Sequence, residues 1–212
     1  MIAKRWTLGL ILGSALLVGV ASVQAGSEDE AKKPAPLPNC PVMGEPIDFS
    51  VSVAADEGPV FFCCNGCVKK YNAAAEKYAE QVAVQRKALA DRPKVQVTCP
   101  VSGKPADSKV SIEQSGEKVF FCCPGCVGKY EADPAKYKSE LANGYTYQTT
   151  CPVMDEEIDP QAFTKLSTGQ TIYFCCQKCD KKLLADPEKY DEHLVAQGIQ
   201  IDWSEVKKKS AD

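Results

Sequence analysis

The sequence predicts an α+β protein built from three small tandem units with helix-rich connections. Three observations lead there. One cysteine pattern occurs three times and takes up all 12 cysteines of the 212 residues. A hairpin pattern lies inside each copy, and a helical pattern follows each copy. A repeat of this kind is one supersecondary unit per copy, and it must be recognised before anything else because it sets the architecture.

Taken in order, the first segment reads as an export signal. Lys4 and Arg5 precede the uncharged apolar run 7–21, and Val23-Gln24-Ala25 offers a small-residue cleavage site, so 1–25 is predicted to be a signal peptide. The run is short beside the roughly 20 apolar residues of a membrane span. No stable membrane insertion is therefore expected after cleavage, an uncleaved anchor being the alternative, and the protein is expected to be periplasmic or secreted. Residues 26–38 are charged and then proline-rich, a composition that cannot bury a core, and are read as a flexible linker. Three units follow at 39–92, 97–144 and 149–198, with a C-terminal tail at 199–212.

Each unit opens on Cys-Pro-Val, at Cys40, Cys99 and Cys151, and predicts a tight knuckle turn. A hairpin comes next. In copy two, residues 109–113 and 118–122 alternate like strands around Ser115-Gly116. Residues 167–170 take the turn in copy three, and the longer 54–59 stretch takes it in copy one. The returning strand ends in an aromatic pair, Phe61-Phe62, Phe120-Phe121 or Tyr173-Phe174. One ring of each pair is expected to be buried and the other partly exposed. The strand then runs into Cys-Cys-x-x-Cys and delivers it to a helix N-terminus. In copy one, Val68, Tyr71, Ala75, Tyr78, Val82 and Leu89 share a face with period near 3.6, which predicts one helix over about 66–91. Pro134 and Pro187 predict interrupted helices in the other copies, each second helix opening at Asp133 or Asp186 as cap. Knuckle, hairpin and helix together make a treble-clef arrangement. A unit of about 50 residues does not stabilise itself on apolar burial alone, so a metal or disulfide staple is expected.

The thiols allow three chemistries. Four cysteines per copy, some at a helix start where amides favour a thiolate, suit a metal site. Cys63 and Cys64 are adjacent, and neighbouring strand residues point to opposite faces, so both binding one ion is awkward. The fourth ligand is open. Met43, Ser102 and Met154 occupy the third position after the first cysteine, where a knuckle's second ligand would stand. Thioether with thiolate is a soft set that suits Cu(I) better than zinc, while an apolar filling role is the alternative. An exported chain with an even cysteine count per unit equally suits disulfides, which would make it a stapled interaction module. Each Cys-x-x-Cys between strand and helix is also the setting of a thiol-disulfide oxidoreductase, although the βαβ framing of thioredoxin is missing.

The spacing Cys-x22-Cys-x3-Cys (Cys40, Cys63, Cys67; Cys99, Cys122, Cys126) and Cys-x23-Cys-x3-Cys (Cys151, Cys175, Cys179) resembles the TRASH and YHS group of small treble-clef domains. So do the opening Cys-Pro-Val, the aromatic-Phe-Cys block and the Pro-x-Lys-Tyr of copies two and three. The resemblance spans about residues 39–192. It implies heavy-metal binding in trafficking, sequestration or sensing, with those nine cysteines as ligands for up to three ions of zinc or another transition metal such as copper. Cys64, Cys123 and Cys176 stand where serine is frequent in the group. With Met43 and Met154 they are the candidate auxiliary ligands.

The remaining residues say less. A formal charge of −3, more negative once Lys4 and Arg5 are cleaved away, argues against nucleic acid. Lys207-Lys208-Lys209 reads as a solvated end. His193, the one histidine, reads as an exposed helix residue, and Lys70, Lys129 and Lys182 as exposed helix lysines. With no Ser-His-Asp set, paired carboxylates or phosphate loop, a binding protein is expected and not an enzyme.

Overall fold

The hairpins form where the sequence places them. The computed structural model describes residues 36–207, so the expected signal peptide, most of the linker, and Lys208 and Lys209 lie outside the described residues. Copy one pairs β1 (Asp48–Val53) with β2 (Val60–Phe62). Copy two pairs β4 (Asp107–Gln114) with β5 (Glu117–Phe121), and copy three pairs β7 (Asp159–Lys165) with β8 (Thr171–Phe174). Ser115 and Gly116 both take positive φ, 54° and 83°, the tight turn that matches the twist of paired strands. Two short strands, β3 (Val95–Gln96) and β6 (Tyr145–Thr146), pair with each other and bracket copy two.

Each hairpin carries the same irregularity. An aspartate starts its first strand, opposite the phenylalanine that precedes the paired cysteines: Asp48 with Phe62, Asp107 with Phe121, Asp159 with Phe174. The register then shifts. The aspartate Oδ1 accepts the backbone N–H two residues on, at 2.8 Å from Ser50, 2.9 Å from Lys109 and 2.9 Å from Gln161. This Asx-type turn occupies a donor that the bulge would leave unpaired. Asp48 is buried, and desolvation raises its carboxyl above the usual range against the opposing pull of Ser50.

The phenylalanine at the end of each returning strand anchors its unit. Phe62, Phe121 and Phe174 are each fully enclosed, and truncating such a side chain to alanine typically costs about 3–5 kcal/mol. The partner ring is half-buried at Phe120 and Tyr173, as the alternation predicts. Phe61 departs from the expectation and is buried too. Phe49 and Tyr147 close over it edge-on, at ring separations of 5.1 and 5.5 Å.

The helices differ from the sequence reading in copy one. The continuous helix expected over 66–91 is broken into α1 (Asn65–Ala73), a 3-10 turn at Ala75–Tyr78 and α2 (Ala79–Leu89). The break lies at Ala74, with φ −160° and ψ 60°, and Ala75 is exposed instead of joining the buried face. Copy two repeats this course as α3 (Pro124–Ala132), a 3-10 turn at Pro134–Tyr137 and α4 (Lys138–Ala142). Copy three has α5 (Cys179–Ala185) and α6 (Glu188–Ala196). Asp133 caps as expected, accepting the Lys136 N–H at 3.3 Å. Asp186 does not. The helix after it opens at Glu188 behind Pro187 with no side-chain cap.

Copies one and three share a single apolar core, while copy two has a separate core around Cys99, Val119, Phe121 and Tyr130. The segment after α6 completes the shared core. Ile199 and Ile201 are buried, Trp203 packs against the same core, and Gly198 O accepts the Phe49 N–H at 2.9 Å. Copy two is tied to copy one by a reciprocal amide pair. Asn143 Nδ2 donates to Ala55 O at 2.7 Å, and Asn143 Oδ1 accepts the Ala55 N–H at 3.3 Å.

Candidate metal centres

Two elements bring the thiols of each copy together. The knuckle is closed by two backbone hydrogen bonds. In copy one Cys40 N donates to Glu45 O at 2.6 Å and Gly44 N to Cys40 O at 2.9 Å. The equivalent pairs are Cys99 with Lys104 and Gly103, and Cys151 with Glu156 and Asp155. The turn requires a left-handed residue, supplied by Gly44 (φ 75°), Gly103 (φ 68°) and Asp155 (φ 57°). The other cysteines ride on the end of the returning strand and the first turn of the helix. Cys64 and Cys123 are the N-caps of α1 and α3. In copy three the helix begins two residues later, at Cys179 itself.

The result is three trios. The Sγ atoms of Cys40, Cys63 and Cys67 lie within 4.8 Å of one another, as do those of Cys99, Cys122 and Cys126, and of Cys151, Cys175 and Cys179. In each trio the first and last cysteine are buried and the middle one is half-buried. All twelve thiols are free. The closer contacts are 3.6 Å for Cys63–Cys67, 3.6 Å for Cys122–Cys126 and 3.8 Å for Cys175–Cys179. Sulfurs on a tetrahedron around an ion with metal–sulfur bonds of about 2.3 Å sit about 3.8 Å apart. The trios thus fit three corners of such a site.

The surplus cysteines fall outside the trios and are exposed, yet each touches the last cysteine: Cys64–Cys67 at 3.7 Å, Cys123–Cys126 at 3.7 Å, Cys176–Cys179 at 3.5 Å. Met43 and Met154 are exposed as well, and the Met43 thioether meets the Lys70 ammonium at 3.9 Å. Ser102 takes the equivalent place in copy two with its hydroxyl 3.2 Å from Cys122 Sγ, held there by the Lys104 N–H at 3.3 Å. Lys70, Lys129, Lys182 and His193 are exposed helix residues, as expected.

The thiols are not electrostatically alike. Burial raises Cys67, and Cys126 to about 12, and the thiols packed around them add to the rise. Burial likewise lifts Cys63 and Cys179 to about 11, and Cys175 higher still. Cys40 and Cys99 run the other way. Burial opposes their ionisation, but amides aimed at the sulfur outweigh it. Those of Cys63, Met43 and Val42 lower Cys40, and the Ser102 hydroxyl with the amides of Cys122, Val101 and Ser102 brings Cys99 to about 7. Copies one and two thus combine thiols that burial holds back from ionisation with one that local donors favour as thiolate.

One buried residue per copy, absent from the sequence reading, fixes the two cysteine-bearing segments to each other. Gln96 Nε2 donates to Thr98 O (2.9 Å) and Phe120 O (2.7 Å), and its Oε1 accepts the Phe120 N–H (2.9 Å). Gln148 makes the same three bonds to Thr150 O (3.1 Å), Tyr173 O (2.7 Å) and Tyr173 N–H (2.9 Å). Copy one has Leu37 at that sequence position. Gln85 reaches in from α2 instead and bonds Asn39 O (3.3 Å), Phe61 O (2.9 Å) and Phe61 N–H (2.9 Å). The shared Gln-x-Thr-Cys at 96–99 and 148–151 is the signal that marks two of the three. Searches against family models, curated proteins and solved structures return no match to this chain.

Proposed function

We propose that this chain is an extracytoplasmic metal-handling protein with three thiolate sites of the treble-clef type seen in TRASH and YHS domains. It traffics, sequesters or senses a soft or borderline ion, zinc or copper, by binding and without catalysis. The observation that carries this reading is the threefold recurrence of a cysteine trio with all sulfurs within 4.8 Å. The ligands are Cys40, Cys63 and Cys67, with Cys99, Cys122 and Cys126, and Cys151, Cys175 and Cys179. Two of each trio are buried, and buried thiolates need a cation to be stable. A trio leaves one tetrahedral corner for a further donor or for exchange, and donor softness then selects among ions. The apolar leader supports a periplasmic or secreted location. Among the described residues no helix is long and apolar enough to cross a membrane.

The test measures thiols and metal on one sample. Protein purified without chelator and under exclusion of oxygen is expected to carry up to three ions, one per trio, and to show all 12 thiols once the metal is stripped. A full set of disulfides with no metal bound overturns the reading in favour of a stapled module. Reduction of a disulfide substrate with turnover overturns it in favour of an oxidoreductase.

A further inference from the structure

The last cysteine of each copy belongs to two groupings at once. It closes the inner trio, and it also contacts the exposed surplus thiol at 3.5–3.7 Å. That spacing is close to a tetrahedral edge of about 3.8 Å, so the surplus thiol and the last cysteine already form a second two-sulfur seat that shares one corner with the trio. In copy one the outer thiol of this seat, Cys64, lines a cleft of about 400 Å³ together with Cys63, Asp48, Thr168, Asp202 and Glu205 among others, while Cys67 lies buried behind it. The cleft has the volume of a small-molecule site. Its two exposed carboxylates, Asp202 and Glu205, give its mouth a charge that favours cations.

We propose that Cys64, Cys123 and Cys176 are exchange thiols, through which a small thiol carrier hands a soft metal ion to the inner trio without releasing it to water. This rests on the metal-binding reading above and assigns the surplus cysteines a kinetic role within it. In copy one the ion's bonds to two carrier thiolates break as bonds to Cys64 and Cys67 form. Bonds to Cys40 and Cys63 then form as the bond to Cys64 breaks, and Cys67 is the pivot held throughout. The trio gives up three thiol protons. The two departing carrier thiolates take two of them, and water takes the third. The ion keeps its oxidation state. Copies two and three run the same exchange on Cys126 and Cys179.

The arrangement separates rate from affinity. An outer thiol that is absent from the final coordination affects how fast the ion moves and barely affects how tightly it is held, because thiol exchange rates depend on access to the attacked centre. The full-length Cys64→Ser/Cys123→Ser/Cys176→Ser protein is therefore compared with the parent, using Cd(II) and a small dithiol chelator in both directions. Transfer is followed by the cadmium–thiolate absorbance. The expected result is transfer slowed by about tenfold or more with equilibrium affinity shifted by less than about threefold. Serine keeps the extended backbone and the capping carbonyl of Cys64, which takes the Cys67 N–H at 3.1 Å, so the helix start survives. Should the triple variant not fold, the single variants repeat the comparison site by site. Unchanged transfer rates overturn the proposal. So does a loss of affinity beyond about tenfold with a weaker absorbance per ion, which makes the surplus thiol a resident ligand. A parent protein that takes up no cadmium refutes the metal reading itself and is a distinct outcome.

Discussion

A buried glutamine in each copy does for the two cysteine-bearing segments what a strand ladder does elsewhere. The residue before the first cysteine forms an isolated bridge within its own knuckle, and its carbonyl and the peptide of the first aromatic residue both turn toward the glutamine. One primary amide, with two donors and an acceptor, serves both. Gln96→Ala strands the Thr98 carbonyl and both polar groups of the Phe120 peptide. Each stranded group costs about 1–3 kcal/mol, and the trio of copy two loosens because Phe120 is two residues from Cys122. Expected are a lower denaturation midpoint, fast hydrogen exchange at Phe120, and weaker metal binding at site two than at sites one and three. The glutamines escaped the sequence reading for a physical reason. Copy one fills the role from a helix 45 residues downstream of Cys40, so the bond pattern is common to the three copies while the sequence position is not.

At the scale of elements, the break after the first helix is the instructive case. Proline explains it in copies two and three, yet copy one breaks at the same place with Ala75 where they have proline. The three hinge residues share one conformation, φ −160°, −154° and −144° at Ala74, Asp133 and Asp186. Packing imposes it. In an unbroken helix Tyr71 and Tyr78 would stand about 10 Å apart along the axis, whereas their rings meet at 6.2 Å, and Tyr130 and Tyr137 at 6.0 Å. Copy one therefore holds the break without the capping aspartate that copy two uses. Ala74→Asp adds a side-chain acceptor for the Lys77 N–H, which the Ala74 carbonyl now takes at 3.2 Å, matching Asp133 and Lys136. It is expected to stabilise copy one by about 0.5–2 kcal/mol, read as a raised denaturation midpoint, and an unchanged or lowered midpoint would show that the hinge geometry differs from that of copy two. Hairpins and knuckles were legible because turn residues and alternation are local signals. The helix break of copy one was not, because it carries no proline and goes with a contact between rings seven residues apart.

At the scale of the molecule, three similar units do not make three equal bodies. Tyr147, in the segment leading into copy three, stacks on Phe49 of copy one at 4.7 Å, and the chain after α6 closes the same core. Sequence periodicity reports the repeats and cannot report which of them share a core, because that is decided by connecting segments that lie outside the repeat. Gly198 is the tightest point of the seam. Its φ is +77°, and a Cβ there would fall 2.6 Å from Leu37 Cδ2 and 2.8 Å from Phe49 Cδ2. Gly198→Ala thus meets both backbone strain, about 1–3 kcal/mol, and a clash with two core side chains. Because Phe49 belongs to copy one and Gly198 to the end of copy three, hydrogen exchange at Phe62 and Phe174 is expected to accelerate together. Exchange at Phe121, in the separate core of copy two, is expected to hold. If copy three alone loosened, the two copies would be independent bodies in contact; if Phe121 loosened equally, all three would unfold as one. Joint loosening of copies one and three places sites one and three in a single cooperative unit, so that a metal ion bound at either would stabilise the other by mass action while site two would fill and empty on its own.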